Sequence, residues 1–148
     1  MTALTGKWDS RFMSLAFHVA AWSKDPSTKV GCVLVNPKRQ VVGMGYNGFP
    51  RGVLDGHDRY KDREQKYLMV QHAEANAILN AVQSLDDCVA YVTHHPCANC
   101  AGLLIQSGVD QVITLRPKDG LAERFRDSFA ASRDMMDEAG VSLRYFGE

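Results

Sequence analysis

From Asp9 onward apolar residues recur at helical spacing, at Phe12, Leu15, Ala16 and Val19, so the chain opens with an amphipathic helix N-capped by Asp9 and ending near Trp22. The period then changes. Residues 30–35 and 41–46 are short β-branched runs separated by Asn36-Pro37-Lys38-Arg39, the pattern of a two-stranded hairpin. Turn residues flank the pair, Ser23-Lys24-Asp25-Pro26 before it and Asn47-Gly48-Phe49-Pro50-Arg51-Gly52 after it. Residues 55–66 are densely charged and read as a solvated helix or long loop, with a lid or effector site as the functional alternative. Helical spacing returns over residues 67–82, with Met69, Ala73, Ala77 and Ile78 apolar and with His72 and Glu74 in the first turns. Beyond it a strand (88–93), a helix (98–107), a strand (111–115), a helix (121–139) closed by Gly140 and a strand (141–146) follow in turn.

The order α-β-β-α-β-α-β-α-β predicts an α/β fold. Strands separated by helices need crossover connections, so the last three run parallel, with the hairpin attached at one side of a five-stranded mixed sheet and helices on both faces. Neither repeats nor linkers interrupt the pattern, and residues 1–148 read as a single domain.

Charge narrows the function. Lys plus Arg and Asp plus Glu both number 17, which argues against a long nucleic acid as partner. The opening residues Met1 to Lys7 hold no apolar leader and no run suits a membrane span, so a cytoplasmic location is expected. In that reducing setting Cys97 and Cys100, spaced Cys-x-x-Cys, are read as metal-binding or redox-active. Cys32 and Cys88 fall inside expected strands and read as core, while His18 and His57 have no ligand partner at a recognisable spacing.

His72-Ala73-Glu74 precedes Pro96-Cys97-Ala98-Asn99-Cys100, and each half begins an expected helix, where unpaired backbone N–H groups favour thiolate and anion. One nitrogen and two sulfurs would leave the fourth position of a tetrahedral zinc open, the arrangement of catalytic rather than structural zinc. Glu74, two residues from His72, is then free to move protons. Cys-x-x-Cys alone also suits a structural zinc knuckle, with His94 or His95 as the fourth ligand, or a redox pair. The His-x-Glu half favours the open site and makes His94 and His95 a pocket wall.

These residues, together with Ser23 to Pro26 leading into Val30-Gly31, Gly45 to Pro50 and Asn76-Ala77-Ile78, resemble the cytidine deaminase superfamily, more narrowly its deoxycytidylate branch. The resemblance spans roughly residues 10–146. It implies a three-layer α/β/α sandwich, one catalytic Zn2+ per chain on His72, Cys97 and Cys100, and hydrolysis of dCMP to dUMP and ammonia, with Glu74 as acid and base. It also implies a homo-oligomer, often a hexamer, activated by dCTP and inhibited by dTTP, with Mg2+ accompanying the triphosphate, and dUMP passing to thymidylate synthesis. By position, Asn47 resembles a sugar contact, Ala73 lies at the base, and Ser23, Lys24 and Lys118 lie where phosphate is expected. Asn47 and Gly48 also resemble the start of an effector site. Departures are the absence of cysteine from residues 51–70, where some relatives hold a second zinc, the cysteine at position 32, and the pair His94-His95.

Rival readings are a deaminase of adenosine in transfer RNA and a catalytically silent, zinc-stabilised nucleotide sensor. The neutral charge balance weighs against the first, and Glu74 against the second.

Overall fold

Strand Gly31–Val35 is buried at every position, which a strand can be only when both faces of its sheet are covered. Its neighbours explain this. The structure, a computed structural model, describes residues 6–148, and the first five residues of the stretch read above for an apolar leader lie outside them. In chain order the elements are Lys7–Ala20 (α1), Gly31–Val35 (β1), Val41–Tyr46 (β2), His57–Lys61 (α2), Arg63–Met69 (α3), Ala73–Leu79 (α4), Val89–Val92 (β3), Ala98–Ser107 (α5), Gln111–Thr114 (β4), Asp119–Arg124 (α6), Arg126–Ala139 (α7) and Ser142–Tyr145 (β5). The five strands form one sheet in the order β2-β1-β3-β4-β5. β1 is antiparallel to both β2 and β3, whereas β3, β4 and β5 run parallel, as crossover helices require.

The alternation of side chains along β1 divides the core in two. Val33 and Val35 pack with Phe12, Met13, Ala16 and Val19 of α1. Cys32 and Leu34 face the other way, against Ala73 and Ala77 of α4, Ala101 and Leu104 of α5 and Met136 of α7. The expected mixed sheet with helices on both faces is therefore present. Each fully buried Val or Leu contributes about 1.5–3 kcal/mol to this packing.

Two glycines of β2 let α4 lie directly on the sheet. A Cβ on Gly45 would stand 2.3 Å from the Ala77 nitrogen and 2.6 Å from the Ala73 carbonyl, both backbone atoms that no side-chain rotation can move. Gly45→Ala is accordingly expected to push away the helix that carries Glu74, costing ~3 kcal/mol. That is about 10 °C in the Tm of a chain this size, readable by calorimetry; an unchanged Tm would contradict the close approach.

Three expectations are corrected, the first two by long-range contacts. Asp9 is not the N-cap: α1 begins at Lys7 behind Gly6, and the Asp9 carboxylate is buried, accepting from the Tyr91 hydroxyl at 2.7 Å and from Arg144 at 3.0 Å. The helix expected over 67–82 is broken. Gly48 and Gln71 pair through two backbone bonds, of 3.1 and 2.7 Å, which pull Val70 to His72 into extended backbone and leave His72 as the N-cap of α4. The helix expected over 121–139 is likewise two, α6 and α7, hinged at Phe125 (φ −114°, ψ 26°). Gly140, at φ 77°, closes α7 as expected. The charged stretch 55–66 holds α2 and the start of α3. Among the described residues no helix is long and apolar enough to cross a membrane.

Candidate active site

Two helix N-termini meet beside the sheet, and each presents its N-cap side chain to the other. His72 caps α4 and Cys97 caps α5, with Cys100 one turn further along α5. His72 Nδ1 is 3.6 Å from Cys97 Sγ and 3.3 Å from Cys100 Sγ. The three ligand atoms lie within 4.8 Å of one another, and no other group of three or more His, Cys, Asp or Glu converges in this way among the described residues. A tetrahedral ion with one Zn–N bond and one Zn–S bond of ordinary length needs an N···S edge of about 3.6 Å, so the donor set fits zinc.

The electrostatics prepare those ligands. Cys97 is pushed down to about 4, first by a hydrogen bond from the Cys100 thiol and then by His72, so it is a thiolate at neutral pH. The Cys100 backbone N–H also points at its sulfur, at 3.5 Å. Cys100 is pushed up, chiefly by that neighbouring thiolate, so the pair shares one proton that metal would displace. The Cys97 sulfur in turn raises His72 above its ordinary value. Glu74, 4% exposed, is raised to about 7 by burial. A carboxyl that titrates near neutrality can both take and give a proton.

The site opens on a cavity of about 460 Å³. His72, Ala73, Glu74 and Cys97 form its floor, and Asn47, Thr28, His94, His95 and Phe129 are among its walls. Asn47 is held rigidly: Oδ1 accepts from Val30 N at 2.8 Å, and Nδ2 donates to the Thr28 carbonyl at 2.8 Å and to Asp25 at 3.4 Å. The Asp25 carboxylate is 1% exposed, accepts from the Ser27 and Thr28 amides at 2.8 and 3.2 Å, and pairs with the Lys66 ammonium at 2.9 Å. Lys66 thus anchors α3 of the charged stretch to the turn at 23–28. Arg124 of α6 donates to the Tyr67 hydroxyl of α3 at 3.0 Å, joining two further cavity walls.

Among the other candidate positions, Ser23 is buried behind the wall, donating to the Asn47 carbonyl at 2.8 Å. Lys24 pairs with Asp55 at 2.9 Å on the surface, and neither it nor Lys118, the N-cap of α6, lines the cavity. Gly48 is tied to Gln71, next to His72. His95 is buried against Phe129, and burial holds its ring below the ordinary histidine value. Cys32 and Cys88 are buried in the core below the site. Spacing gave no sign of Asp25 with Lys66, which are 41 positions apart, or of Arg63, Arg124, Phe125 and Phe129, which reach the cavity only through the folding of α3, α6 and α7.

Comparison with known proteins adds to this geometry. A family model described as the cytidine and deoxycytidylate deaminase zinc-binding region matches residues 6–116. A protein of Aliivibrio fischeri described as an uncharacterised deaminase in the luxG 3′ region is 42% identical over 142 residues, spanning 96% of this chain and 95% of that protein. The deoxycytidylate deaminase of Homo sapiens is 37% identical over 148 residues, spanning 95% of this chain and 80% of its own. Among solved structures, the dCMP deaminase of cyanophage S-TIM5 in complex with dCMP and dUMP superposes with a TM-score of 0.78, covering 97% of this chain and 100% of the other at 23% identity, a likeness of fold.

Proposed function

Since the chain belongs to the cytidine and deoxycytidylate deaminase family, we propose that it hydrolyses dCMP to dUMP and ammonia at the His72–Cys97–Cys100 site. The observation that carries this reading is the convergence of those three ligand atoms within 4.8 Å, at the cavity floor formed by His72, Cys97 and Glu74.

His72, Cys97 and Cys100 would hold one zinc per chain, which supplies the Lewis acidity that makes water a nucleophile at neutral pH. Glu74 takes a proton from the attacking water and delivers it to N3 of the base. It then passes the second proton to the departing amine, so that C4 gains a carbonyl oxygen as ammonia leaves. Burial of Glu74 raises it to about 7, which suits a group that must act in both directions. Ala73 lies under the base. Asn47 Oδ1 accepts one backbone bond and keeps a lone pair for a sugar hydroxyl.

For the phosphate, Lys61, Arg63 and Arg124 on the cavity wall are the cations in place, while Lys66 is engaged by Asp25. Ser23 acts through the Asn47 carbonyl, while Lys24, paired with Asp55, and Lys118 lie outside the cavity lining. By resemblance the reading extends to a cytoplasmic homohexamer that supplies dUMP for thymidylate synthesis, activated by dCTP with Mg2+ and inhibited by dTTP. The pairing of Gly48 with Gln71, adjacent to His72, supports such control, because a ligand that shifts the 47–48 turn shifts the zinc ligand.

The test is loss of cytosine absorbance with dCMP, dCTP and deoxycytidine as substrates, each with and without dCTP or dTTP as effector. Turnover of dCMP above the other two is expected. A zinc-loaded protein that leaves dCMP untouched under every condition sinks the proposal.

A further inference from the structure

His95 lines the cavity two residues before Cys97, yet neither of its ring nitrogens is among the converging ligand atoms, and both have partners elsewhere. Nδ1 is 3.0 Å from the Pro96 carbonyl, and Nε2 is 3.1 Å from the Tyr145 hydroxyl. A carbonyl only accepts, so Nδ1 carries the hydrogen; in the neutral ring Nε2 is then the acceptor, and Tyr145 donates to it. The ring is 2% exposed and packed between Phe129, 4.8 Å away, and Tyr145, 5.8 Å away. A hydrocarbon ring would fill that space without two nitrogens to satisfy in a buried setting, so packing alone does not account for an imidazole here.

Tyr145 is itself fixed. Arg116 lies over its ring at 4.1 Å, and Arg116 Nε donates to both oxygens of Glu148 at 2.8 and 2.7 Å. It stands on β5, outside the residues 6–116 that the family model matches. A continuous set of contacts therefore runs from the edge strand through Tyr145 and His95 to the Pro96 carbonyl, and the next residue is Cys97, whose Sγ must face His72.

We infer that His95 is a positioning residue for the zinc site: held by the Tyr145 hydroxyl, it orients the Pro96–Cys97 peptide so that the Cys97 sulfur points at His72. The inference rests on the zinc reading above. It assigns to β5 a hold on a metal ligand that none of its residues touches, in the manner of outer-shell partners that orient ligands elsewhere.

The experiment measures zinc affinity by chelator competition, the visible spectrum of the cobalt-substituted protein, and the Tm of the zinc-free protein, for wild type, His95→Phe, Tyr145→Phe and the double variant. His95→Phe keeps an aromatic ring and is expected to weaken zinc binding about tenfold or more and to shift the cobalt bands. Tyr145→Phe removes one oxygen and is expected to move both readouts in the same direction. The double variant should be no worse than His95→Phe alone, because both substitutions break one chain of contacts. Wild-type affinity and spectrum in both single variants overturn the inference while leaving the zinc reading intact. So does a loss of affinity with unchanged cobalt bands that is matched by an equal fall in zinc-free stability. A wild-type protein that binds no zinc overturns both.

Discussion

Glu74→Gln is expected to lower the turnover of dCMP by about 10³ or more while leaving zinc bound at wild-type stoichiometry. Glutamine has the same shape and still hydrogen-bonds, but it can neither take a proton from water nor return one. A single general acid or base is typically worth ~10²–10⁴, and this one side chain serves more than one transfer. Metal content should not change, because the converging ligand atoms belong to His72, Cys97 and Cys100 alone. Turnover by absorbance and zinc by elemental analysis check the two halves separately. Retained activity would remove Glu74 from the chemistry, and lost zinc would make it a ligand.

The same variant has a second, independent signature in the zinc-free protein. Glu74 titrates at about 4.5 when unfolded and about 7 in the fold, raised by burial. Below pH ~4.5 it is protonated in both states and contributes nothing to the pH dependence. Between the two values the unfolded chain ionises first, so stability is lost as pH rises, and the loss is complete above about 7. The span corresponds to about 3 kcal/mol. Zinc-free Glu74→Gln should therefore match wild type near pH 4 and be the more stable protein at pH 8, as followed by denaturant titration. A constant difference across that range would show that the carboxyl is not buried as described.

What local pattern could reveal, and what it could not, divides along the reach of the contacts. The β-branched runs at 30–35 and 41–46 and the glycine at 140 act through neighbours in sequence, and they lie where they were expected. His72, Cys97 and Cys100 were readable for a chemical reason: a zinc site accepts few residue types at few spacings. Helix continuity was not readable, because Gly48 pairing with Gln71 outweighs the helical period of residues 67–82 and turns His72 into an N-cap. That break serves the site, since a His72 inside a helix would not stand at the N-terminus that faces Cys97. Asp9 reads as a cap until Tyr91 and Arg144, from two different strands, claim its carboxylate. The cavity wall is the extreme case. Lys66 lay in a charged run that looked like solvated surface, and only the fold brings it to a buried carboxylate 41 residues away.

Cys97→Ala is expected to remove zinc altogether and to lower the Tm of the metal-loaded protein by about 15 °C. A ligand that binds only the folded state at 1,000 times its Kd stabilises by about 4 kcal/mol, and that contribution disappears with the site. The wild type stripped with a chelator should fall to nearly the same Tm, whereas the variant should show no further response to the chelator. Cys97 also caps α5 by accepting from the Cys100 N–H at 3.5 Å, and alanine removes that bond as well. Loss of a cap costs ~1 kcal/mol. Cys97→Ser separates the two effects, because a hydroxyl still caps a helix but is a poor zinc ligand at neutral pH. If metal binding dominates, the serine variant melts close to the alanine variant and far below the wild type. If the serine variant keeps full zinc and wild-type Tm, the sulfur that Cys100 and His72 hold as a thiolate is not a ligand, and the three-residue site is wrong.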